Sequence, residues 1–158
     1  MHRGLATLSG AVMICFLLLT QADMNFFHLQ LLQSAIYLMV ILMLFYFEDH
    51  WAYMLGMIAP TVWLLLAFGV GTLGGGLRAA GLLVSGRTRV DELSLLDFIT
   101  AGFCVLLIVF SARRWRKEYA DSHKGLPTFV VTFAGVAIYF AMLIYFYWRG
   151  IPHGPLAG

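Results

Sequence analysis

The chain has 158 residues, of which 61% are hydrophobic and 11% charged, with a formal net charge of +2 and a mean hydropathy of +0.87. A soluble domain carries about 25% charged residues, and a chain this short cannot bury so large an apolar excess inside itself. The excess faces lipid or another protein, and a charge this small, gathered at a few points, argues against nucleic acid as a partner.

The length of each apolar run decides the class, because about 20 residues of α-helix cross the hydrocarbon core. Apolar runs cover residues 5–22, 29–47, 52–77, 95–112 and 128–148. In lipid a backbone must satisfy its own hydrogen bonds, which leaves helices or a closed barrel. The runs lack the alternation of barrel strands and are about twice as long as such strands. The expectation is an all-α polytopic transmembrane helical bundle forming a single membrane domain. It has five spans, or four if the first segment is cleaved or does not span.

That alternative arises because Met1-His2-Arg3, an apolar stretch and Thr20-Gln21-Ala22 have the layout of a signal peptide. Cys15 in this run and Cys104 in the fourth are the only two cysteines, too few for a structural zinc site. They read as small packing residues. Asp23, Asn25 and His28 follow as a turn. Gln30, Gln33 and Ser34 form a polar patch early in the second run, with the two glutamines three apart on one face. An interhelical hydrogen bond is their expected use, and a headgroup or quinone oxygen the rival. Glu48, Asp49 and His50 make a second turn, expected to be solvated. Carboxylate beside histidine is metal or proton-relay chemistry, but no histidine pair has the four-residue spacing of a helical zinc site.

The third run contains Pro60, expected to bend it. It also contains Gly69-Val70-Gly71-Thr72-Leu73-Gly74, a letter-for-letter dinucleotide fingerprint. That motif works between a strand and a helix of a soluble domain, so here it is coincidence. Ala67, Gly71, Gly75 and Ala79 recur every four residues, a small-residue face of the kind that lets membrane helices approach closely. Residues 78–94 form an extramembrane linker with Arg87 and Arg89. Ser94 and Asp97 have capping-box spacing ahead of the fourth run. Arg113-Arg114-Trp115-Arg116-Lys117 follows that run and marks the cytoplasmic side of a plasma or inner membrane, which places the tail 149–158 outside. Trp51, Tyr53, Trp115, Tyr119, Tyr145, Tyr147 and Trp148 flank the runs as interfacial belts.

The middles of the runs contain no ionisable group, the default marker of transport or proton relay in membranes. A bis-histidine haem is disfavoured because His28 and His153 fall on one side and His50 and His123 on the other. No catalytic triad, nucleophile elbow or phosphate loop has a workable context. The chain is therefore expected to be no enzyme, without metal or cofactor. Its expected role is an accessory or structural subunit, with lipid and other membrane subunits or copies of itself as partners. A homo-oligomeric transporter or channel lined by the Pro60 helix and the Gln30/Gln33 patch is the alternative, and a haem or quinone protein a third. Gln30, Gln33, His28 and His50 are the candidate ligand-binding residues.

Overall fold

With no water to satisfy the amides of an apolar run, each run closes its own hydrogen bonds as an α-helix. The computed structural model describes residues 3–22, 27–46, 49–71, 74–75, 77–78, 81, 92–119 and 125–150. It is all-helical over these residues: α1 (Arg3–Ala22), α2 (Phe27–Tyr46), α3 (Asp49–Val70), α4 (Glu92–Tyr119) and α5 (Gly125–Gly150). All five helices are long and apolar enough to cross a membrane.

The helix ends differ from the apolar runs where polar residues continue the helical pattern. At 28 residues, α4 is about 42 Å long against a hydrocarbon core of about 30 Å, so it outruns that core. Its surplus carries Arg113–Tyr119 on helical turns. Starting at Glu92, α4 also takes in Ser94, which therefore lies inside the first turn and is not the cap. Asp49 and His50 form the first turn of α3, where an acidic residue suits the positive end of the helix dipole. Pro127 falls in the first turn of α5, where a missing amide costs nothing.

The third helix stops earlier than its apolar run. Gly71 has φ +84°, and its amide donates to the Phe68 carbonyl at 3.1 Å, the inner bond of a glycine-terminated helix end. The small-residue face Ala67, Gly71, Gly75 and Ala79 is accordingly not a face of one helix. Ala67 alone lies on α3, where it is buried; Gly71 is the exposed turn that ends it. Gly75 sits beyond that turn, and Ala79 lies outside the described residues.

Close approach occurs instead at the other end of α3. Ala52, Gly56, Ala59 and Pro60 are all buried. A Cβ added to Gly56 would stand 2.7 Å from Ser111 Oγ of α4, which shows how tightly the two backbones cross. Pro60 also removes the amide that would bond the Gly56 carbonyl.

Helices α1 to α4 pack as a ring: α1 against α2, α2 against α3, α3 against α4, and α4 back against α1. Helix α5 packs outside, chiefly along α3, with a slighter contact to α2. Every ring helix sends a large side chain inward. Phe16 of α1 stacks on Tyr37 of α2 at 5.4 Å and meets the edge of Trp63 of α3 at 5.2 Å. The Tyr37 hydroxyl lies 3.8 Å from Cys104 Sγ of α4. Both cysteines are buried and unpaired as disulfides, consistent with their reading as packing residues.

Gly56→Ala should therefore destabilise the protein by about 1–3 kcal/mol through overpacking. Adding Ser111→Ala should restore much of the loss, because Ser111 Oγ is the atom in the way. Thermal midpoints of the single and double variants in detergent test this, and strictly additive losses would refute the crossing.

Candidate functional site

Polar chemistry gathers at the end of the bundle where α3 begins and α4 ends. The overshoot of α4 places Arg114, Trp115, Glu118 and Tyr119 beside the first turns of α3. The Tyr53 hydroxyl donates to Glu118 Oε2 at 2.9 Å, joining the two helices. Glu118 Oε1 faces Arg114 at 3.5 Å, so the two carboxylate oxygens serve different cationic and neutral donors. The Arg114 and Glu118 side chains are 30% and 32% exposed, and the arginine precedes the glutamate. That is the weaker order for a four-residue pair, worth a few tenths of a kcal/mol. The bond between helices matters more than the pair within one.

An aromatic cluster covers this network. Trp115 stacks on Tyr119 at 5.1 Å, and Tyr119 lies 6.3 Å from Tyr53 and 5.8 Å from His50. His50 is only 5% exposed and also borders Trp51 at 5.1 Å. The expected solvated turn is thus corrected: His50 is a buried ring at the foot of α3, because α4 continues past the apolar run and covers it. Tyr53, expected in an interfacial belt, is likewise buried. Glu48 lies outside the described residues.

The remaining candidates do not join this cluster. His28 is exposed near the start of α2 against Phe27, at the opposite end of the bundle from His50. The two histidines therefore cannot share a haem iron. His123 and His153 lie outside the described residues, as do Asp23 and Asn25. Gln30 and Gln33 are both half-buried on α2. Gln30 Oε1 is sequestered without a hydrogen-bond partner, so the expected bond between helices is not made through that atom. Among the described residues no group of three or more His, Cys, Asp or Glu side chains could hold a metal ion.

A second feature escaped sequence reasoning because three helices build it. An apolar groove of about 400 Å³ lies between α2 and α5 with α3 as its floor. Met39 and Met43 form one wall, Thr132 and Val136 the other, and Trp51 and Leu55 the base. The bond between Tyr53 and Glu118 had a fainter signal: once a helix is drawn through residue 119, Arg114 and Glu118 share a face.

Comparison with known proteins finds no matching family model, no similar curated protein and no similar solved structure. Function is therefore argued from the geometry alone.

Removing the Tyr53 hydroxyl by Tyr53→Phe should cost about 1 kcal/mol, since the helix-to-helix bond that it donates to the Glu118 carboxylate is lost. Arg114→Gln should cost less. Thermal unfolding in detergent ranks them, and an Arg114 loss exceeding the Tyr53 loss would reverse the assignment.

Proposed function

We propose that this chain is a small structural or accessory subunit of a larger membrane assembly. The observation that carries the reading is the sealed centre of the four-helix ring. Phe16, Tyr37, Val12, Val40, Cys104 and Leu107 are essentially fully buried there, with Trp63 close beside them. A path for ions or polar solutes through one copy would need a wet, polar-lined lumen, and these side chains occupy that space. Pro60, on the helix expected to line a homo-oligomeric channel, is itself packed inside the bundle. The reading gives the chain no catalytic step.

The outer surface supplies what an assembly would use. Helix α5 buries the smallest share of any span, 22%, and exposes Phe129, Phe133, Ile138, Met142 and Phe146. At the overshooting end of α4, Arg113, Arg116 and Lys117 are exposed. The excess of cations there favours placing this end in the cytoplasm of a cell membrane, with the carboxyl-terminal end of α5 on the opposite side.

Gentle detergent extraction of the tagged chain should bring down other membrane proteins in fixed stoichiometry. Recovery as a lone monomer, or solute flux from liposomes containing only this chain, would overturn the proposal.

A further inference from the structure

We infer that the outward face of α4 binds one anionic phospholipid, with Arg113, Arg116 and Lys117 holding its headgroup phosphate. Burial fixes the side of the helix that each residue occupies. Thr100, Cys104, Leu107 and Ser111 are buried and mark the inward side of α4. Trp115 and Glu118 continue that side at the overshooting end, where Glu118 accepts from Tyr53 and faces Arg114. Arg113, Arg116 and Lys117 are exposed. At about 3.6 residues per turn they share an arc of about 100° on the opposite side. The four cations between residues 113 and 117 are thus divided: one works inside the protein and three face out.

The same outward arc is apolar before it is cationic. Phe98, Ile99, Val105, Leu106, Val109 and Phe110 are exposed along it. From Phe98 to Phe110 is about 18 Å of helix, close to one leaflet of a hydrocarbon core about 30 Å thick. Arg113 follows about 5 Å further on, and Lys117 about 6 Å beyond that. A phospholipid lying along the helix presents the same order, apolar length first and charge at its end. A soluble acidic partner would answer the cations but leave the apolar stripe beside them unmatched.

The charge on this face is uncompensated within the helix. Glu118 is the single carboxylate between Phe98 and Tyr119, and it is turned inward to Tyr53. The helix dipole favours cations in the last turn, where Arg116 and Lys117 stand, but it would accept them on any side. Their gathering on one side suits a phosphate. Arg113 neighbours Arg116 at three residues and Lys117 at four, with Cβ atoms about 5–6 Å apart, so all three side chains reach one oxyanion. Each guanidinium presents paired donors that match phosphate oxygens, and the ammonium adds a point charge. The site needs only that this face of α4 is open to lipid, so it stands or falls apart from the accessory-subunit reading.

The test is native mass spectrometry of the full chain in detergent, titrated with phosphatidylglycerol or with phosphatidylcholine of identical acyl chains. One phosphatidylglycerol per chain should bind about a hundredfold more tightly than phosphatidylcholine. Arg113→Gln, Arg116→Gln and Lys117→Gln should each weaken that preference about fivefold, the contribution of one basic residue at an anionic membrane surface. The triple variant should bind the two lipids equally. Arg3→Gln removes the same charge where α1 begins, at the end of the bundle where α3 also begins, and should leave the preference unchanged. Glycerol 3-phosphate, which has the headgroup chemistry without the chains, should not displace the lipid. Circular dichroism checks that each variant keeps its helices. Equal affinity for the two lipids in the wild type, or an Arg3→Gln loss as large as those of the three cations, would overturn the proposal. So would displacement by glycerol 3-phosphate, or a protein that stays bound through the three cations and keeps phosphatidylglycerol off.

Discussion

Phe16 of α1 meets α2 and α3 at once, with its face on Tyr37 and Trp63 presenting to it at a right angle. Lipid tails are as apolar as the side chains of the bundle, so burial alone does not hold such helices together in a membrane. What does is fit: rings in contact at favourable angles and backbones close enough for dispersion to accumulate. The rest of the fold is arranged so that this contact can form. Gly56 lets α3 lie close on α4, which carries Cys104 to the Tyr37 hydroxyl.

The two ends of the bundle solve a different problem. Where helices leave the hydrocarbon, polar groups can be spent on orientation without the cost of full desolvation. At the α3/α4 end a phenol and a carboxylate fix the helices against each other, a guanidinium on the same helix faces the carboxylate, and an aromatic cluster packs beside them. At the far end of α3 a single glycine in the left-handed region stops the helix with its own backbone bond. The centre relies on shape, and the ends rely on chemistry.

This division explains what could be read from the sequence. The five spans are legible because run length alone decides them. The overshoot of α4 is not, because Arg113–Tyr119 breaks the apolar pattern while remaining good helix, and that overshoot is what buries His50. The small-residue face at Ala67, Gly71, Gly75 and Ala79 misleads because four-residue spacing has meaning only along an unbroken helix, and Gly71 breaks it. Ala52 and Gly56 carry the same spacing in an unbroken stretch, yet nothing in the sequence says that Ser111 lies opposite. The groove could not be foreseen at all, because its walls come from three helices. The exclusion of a histidine pair across the membrane, by contrast, followed from counting spans.

The ring topology has a consequence for how the chain is made. Helix α1 emerges first, but one of its two neighbours in the ring is α4. Until α4 has been synthesised, the flank of α1 that will meet it has no protein cover and must be held by lipid or by the insertion machinery. The ring thus cannot close before α4 has been made, and α5, which follows α4 in the chain, packs against the outside of that ring.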